Sequence, residues 1–107
     1  MILFHLTITS SAAAAVKIKE VLLSRCGNRI ASLDDYLGED GKGELYIDCV
    51  DVDNLVDEVI KISKDFPGET ILTHCFADVG CSYHTVDSEI KNGAETITRD
   101  ERDLICD

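Results

Sequence analysis

Hydrophobic and polar residues follow two periods along the chain, and the changes of period mark out its elements. In Ile2–Thr9 (ILFHLTIT), Ile2, Phe4, Leu6 and Ile8 alternate with Leu3, His5, Thr7 and Thr9, which predicts a strand with one buried face. Ser10 and Ser11 follow as N-cap candidates, because a hydroxyl oxygen accepts from the free N–H groups of a first helical turn. Ala12–Arg25 then reads as a helix rich in alanine, with Ala12, Val16, Leu22 and Leu23 on its apolar stripe and Ala15, Ile18 and Val21 beside it. Cys26-Gly27-Asn28 ends it, with Gly27 suited to a left-handed cap.

Arg29–Leu33 is a short candidate strand, and the glycines of Asp34–Gly43 (Gly38, Gly41, Gly43) predict a loop. Glu44–Val50 alternates again, with Leu45, Ile47 and Cys49 on one face and Glu44, Tyr46 and Asp48 on the other. Asp51 is a natural cap for a second helix over Val52–Asp65, and Phe66-Pro67-Gly68 breaks it. Glu69–Ala77 and Cys81–Ser88 read as strands around an Asp78-Val79-Gly80 turn. Ile71 and Leu72 leave the buried face of the first of these open. Asn92-Gly93 suits a tight hairpin leading to a last strand, Ala94–Thr98, and the charged tail RDERDLICD reads as helical or loose. The order strand–helix–strand–strand–helix–strand predicts one α+β domain over residues 1–107. It is expected to be a ferredoxin-like split βαβ sandwich, with an antiparallel sheet, two helices on one face and an extra C-terminal hairpin.

Charge changes this picture. The formal net charge is −11, and residues 34–58 alone hold ten acids against one base, Lys42. A surface of this sign repels nucleic acid and anionic membrane and attracts basic proteins. The apolar fraction of 45% is that of a folded domain rather than of a disordered acidic tail. No apolar run is long enough to span a membrane, and the N-terminus lacks the basic flank of a signal peptide. Five scattered cysteines (Cys26, Cys49, Cys75, Cys81, Cys106) argue for a reducing, cytoplasmic setting rather than a disulfide framework.

Candidate chemistry is sparse. His74, Cys75, Cys81 and His84 offer two thiols and two imidazoles, but His74 and Cys75 are neighbours on a strand and point to opposite faces. The competing reading is a hairpin with reduced cysteines and ordinary histidines, so no metal or other cofactor is expected. His5 and Asp48 face away from the expected helices and could form an acid–base pair, with His74 or His84 close by. No nucleophile elbow or phosphate loop accompanies them. The acids of Asp34–Glu44 match no calcium-loop register. The expectation is therefore a binding protein and not an enzyme.

In size, acidity and pattern the chain resembles the small cytosolic immunity proteins that bacteria pair with secreted toxins, those of contact-dependent growth inhibition systems in particular. The resemblance rests on the acidic set Asp34–Glu58 carried by a compact α/β domain. It implies a one-to-one complex with a cognate toxin domain, often a basic nuclease, whose active site is blocked. The expected contacts are Asp34, Asp35, Glu39, Asp40, Glu44 and Asp48, then Asp53, Asp57 and Glu58, with Tyr36 and Tyr46 as aromatic anchors. The loop and the outer side of the second helix are expected to form adjoining parts of one patch. A nucleic-acid mimic of the anti-CRISPR kind shares the same acidic surface. A small ligand-binding domain or enzyme using the open sheet face around His5 is the third possibility.

Overall fold

The computed structural model describes residues 2–78, 80 and 82–104; Cys81 and Cys106 lie outside them. Among the described residues, six strands and two α-helices follow in the order β1 (Phe4–Ser11), α1 (Ala12–Cys26), β2 (Ile30–Leu37), β3 (Lys42–Cys49), α2 (Val52–Ser63), β4 (Ile71–Asp78), β5 (Ser82–Lys91) and β6 (Ala94–Leu104). One antiparallel sheet contains all six strands in the order β2-β3-β1-β4-β5-β6.

Both helices lie on one face of this sheet. Leu6 and Ile8 of β1, Leu45, Ile47 and Cys49 of β3, and Ile71 of β4 point toward them and are sealed in. Ile90 of β5, Ala14, Ala15, Ile18, Leu22 and Cys26 of α1, and Leu55, Val59 and Ile62 of α2 complete the core. Ser11 caps α1 by accepting from the Ala14 N–H at 3.1 Å. Glu69 fastens that corner, accepting from the Ser11 N–H at 2.6 Å and its hydroxyl at 3.0 Å. Asp51 caps α2, accepting from the Asn54 N–H at 3.4 Å.

Several expectations are corrected. Val16 and Leu23 do not lie on the buried stripe of α1; they are 45% and 48% exposed, seven residues apart on the outer flank. Gly27 is right-handed (φ −54°) and opens a single 3₁₀ turn, Gly27–Arg29, so no left-handed cap ends α1. The expected loop at Asp34–Gly43 shrinks to a turn around Gly38–Gly41, because β2 runs on to Leu37 and β3 starts at Lys42. Gly43 is inside β3 and its lack of a side chain lets α1 approach: a Cβ there would stand 2.7 Å from the Ala15 Cβ and 3.3 Å from the Ala12 Cα. The second helix stops at Ser63, short of Asp65. In β4, Ile71 points inward and Leu72 outward, at 0% and 45% exposure.

The tail differs most. Residues expected to be helical or loose continue β6 to Leu104, paired with β5 along its length. The β5–β6 hairpin turns on Asn92 (φ 51°) and Gly93 (φ 81°), the two positive φ values of a tight primed turn. Its tip is tied to the end of α2, where the Gly93 N–H donates to the buried Ser63 hydroxyl at 2.7 Å. The Asn92 side-chain carbonyl accepts from the Gly68 N–H at 3.0 Å.

Candidate functional site: the helix-free face of the sheet

The strands that bury one set of side chains under the helices present the alternate set on the other face. Cross-strand register groups these into rows. Asp34, Tyr46, Thr7, His74, Asp87 and Arg99 form one row from β2 to β6. Ser32, Asp48, His5, Phe76, Thr85 and Glu101 form the next. Tyr36, Glu44, Thr9, Leu72, Glu89 and Thr96 form the third. Asp78, Tyr83 and Asp103 continue the face at one end.

The face is strongly acidic. Its bases are Arg99, held by Glu101 at 2.8 Å and near Asp87, with Lys42 and Lys91 at the margin. The Glu101 hydrogen bond raises the Arg99 pKa further, so that guanidinium stays charged and engaged. Aromatic rings cross the same surface. Phe76 stacks on Tyr83 at 5.1 Å between centroids and on His5 at 6.3 Å. Tyr36 and Tyr46 stand out, at 66% and 46% exposure. The Tyr46 hydroxyl donates to Glu44, which pushes its pKa up; the tyrosine remains a neutral donor.

The His5–Asp48 pair forms at 2.5 Å, with Asp48 also accepting from the Ser32 hydroxyl at 3.1 Å. His74 pairs with Asp87 on this face. His84 is on the opposite face, bonded to Asp100 at 2.7 Å. Each histidine is thus anchored to its own aspartate. Cys75 faces the helix side, away from His74, as parity requires. Among the described residues, no three His, Cys, Asp or Glu side chains gather as they would around a metal ion. The thiols of Cys49 and Cys75 are pushed up to about 11 by burial, and that of Cys26 is raised for the same reason, which suits packing rather than nucleophilic attack.

The acidic residues singled out in the sequence do not form one patch. Asp34, Tyr36, Glu44, Tyr46 and Asp48 share the helix-free face. Asp35 points to the helix side and meets Lys19 of α1 at 3.3 Å. Glu39 and Asp40 sit at the exposed turn, where Asp40 accepts from the Lys42 N–H at 3.1 Å. Asp53, Asp57 and Glu58 belong to α2 in the other layer, and Glu58 is already engaged by Lys61 at 3.6 Å and Arg25 at 4.0 Å. In their place the fold adds acids from the second half of the chain: Asp78, Asp87, Glu89, Glu101 and Asp103. Their spacing of two (Asp87 and Glu89, Glu101 and Asp103) was the available signal.

No helix among the described residues is long and apolar enough to cross a membrane. Comparison with family models, with curated proteins and with solved structures gave no match to this chain.

Proposed function

We propose that the chain is a protein-binding inhibitor, of the immunity-protein kind, that covers a basic partner domain with the helix-free face of its sheet. The observation that supports this reading is the composition of that face. It is broad and regular, studded with carboxylates from five of its six strands, and its exposed tyrosines are flanked by acids. Charges so arranged speed encounter with a basic domain and reject acidic ones. Tyr36 and Tyr46 supply large contact area at low entropic cost, as the anchors of protein interfaces do. The partner of best fit is a basic nuclease toxin, whose phosphate-binding cleft the carboxylates of Asp34, Glu44, Asp48 and Glu89 would occupy. We read the scaffold as a ferredoxin-like split βαβ sandwich that the β5–β6 hairpin extends, widening the contact face beyond β4. The protein acts by occupancy and performs no catalysis.

The test is capture of partners from the source cell's lysate on immobilised protein, eluted with rising salt. It compares the native chain with Asp34→Lys/Glu44→Lys/Glu89→Lys and, as a control in the other layer, Asp53→Lys/Asp57→Lys. A basic domain that elutes with salt, is lost by the first variant and is kept by the second supports the reading. A partner held equally by both variants, or none at all, overturns it.

A further inference from the structure

The second layer has an unfilled place. The two helices cover the sheet from β2 to β5, where Ile90 is sealed under α2, but the outer strand of the β5–β6 hairpin extends the sheet beyond α2. Its tip is tied to the end of α2, while its other end leaves a groove of about 370 Å³ between the first two turns of α2 and strands β4, β5 and β6. That volume lies within the roughly 300–1,000 Å³ typical of small-molecule sites. Phe4, Val52, Val56, Cys75, Val86 and Ile97 give it apolar walls. The contact between Gly93 and Ser63 closes it at the hairpin tip, which suits a compact ligand better than a long chain segment.

Three carboxylates line this apolar space: Asp53 and Asp57, one turn apart on α2, and Glu95 on β6. None has a cationic partner among the described residues, in contrast to Glu58 on the same helix. No lysine or arginine lines the groove. Glu95 is positioned from below. The buried Ser88 hydroxyl donates to its Oε2 at 2.8 Å and lies 2.5 Å from the buried Thr73 hydroxyl. Since the one Ser88 proton goes to Glu95, Thr73 donates to Ser88, and the pair holds the carboxylate at the groove. His84 lines the same space and is fixed by Asp100.

We propose that this groove binds a small organic cation, a protonated amine carrying an apolar body. The body would lie on the valines, Phe4 and Ile97, with the ammonium at the rim that the carboxylates line. This goes beyond the inhibitor reading and uses the opposite layer of the molecule. The test is an amide chemical-shift titration of the full chain with phenethylammonium, phenethyl alcohol and phenylpropionate as probes. The expected result is saturable binding of the amine, with shifts confined to residues 52–57, 73–77, 84–88 and 95–97. The alcohol should bind roughly tenfold more weakly and the acid should leave the spectrum unchanged. Glu95→Gln, which keeps an acceptor for Ser88, and Asp53→Asn/Asp57→Asn, on the exposed flank of α2, should each weaken the amine roughly tenfold with the free spectra otherwise preserved. Equal binding of the alcohol, amine shifts spread unsaturably over both faces, no amine binding, or groove shifts that follow protein concentration alone, as when a second copy fills the groove, would each overturn the proposal.

Discussion

On β1, Leu6 and Ile8 are 1% and 0% exposed, whereas His5, Thr7 and Thr9 between them remain in contact with solvent. The same alternation runs through β3, where Leu45, Ile47 and Cys49 are sealed and Glu44, Tyr46 and Asp48 are not. Two surfaces with opposite physics are therefore built from one set of strands. The helix-covered face holds the fold together by burying apolar area. The helix-free face contributes little burial, and its carboxylates repel one another, a cost that favours a basic partner across it. The lesson is that sequence neighbours here have separable effects: changes at odd positions of β1 should alter binding, and changes at even positions should alter stability.

The largest expected effect comes from breaking the covered face. Ile8→Ala should cost about 2–5 kcal/mol of unfolding free energy, while Thr7→Ala, one residue away, should change it by less than about 0.5 kcal/mol. Urea unfolding of both variants checks the contrast. Next comes the close approach of α1 to β3. Gly43→Ala places a Cβ against the Ala15 Cβ and the Ala12 backbone, and should cost about 1–3 kcal/mol with partner binding retained. A smaller effect separates the buried thiols from the surface. Cys49 and Cys75 hold their protons up to about pH 11, whereas the unfolded chain releases them near the ordinary value of 9.0. Their contribution to stability is thus constant below about pH 9 and is lost as pH rises from there through about 11. The urea midpoint of the native chain should fall more over that window than that of Cys49→Ala/Cys75→Ala, and both thiols should resist alkylation at pH 8.

How much of this was legible in the sequence follows from the kind of signal each element carries. Phe4–Thr9 and Glu44–Val50 alternate cleanly and their buried faces were readable, but Ile2, expected on the buried face of the first, precedes β1 and is 45% exposed. Asp51 and Ser11 announced their helices because capping is local chemistry. Residues Asp34–Leu37 and Arg99–Leu104 were missed as strands for one reason. Both are acidic and lie on the edge strands β2 and β6, where pairing with a single neighbour overrides weak strand propensity and charge guards the open edge. Glycine content misled at Gly43, which serves packing rather than a turn. The half of the acidic face drawn from β4, β5 and β6 does not show in charge by chain position, because only the sheet brings Asp87 and Glu89 onto the same face as Asp34 and Glu44. The groove beside α2 was hidden similarly, since its walls come from five separate elements.

The helix-free face, and not the α2 acids, is the surface proposed to engage a basic protein. The most direct measurement is the affinity of the captured partner for the native chain and for Asp34→Lys/Glu44→Lys/Glu89→Lys, at low and high salt, with thermal unfolding run on both. The expected result is at least a roughly hundredfold loss of affinity at low salt, a difference that narrows as salt screens it, with thermal stability undiminished. An unchanged affinity in a folded variant would contradict it.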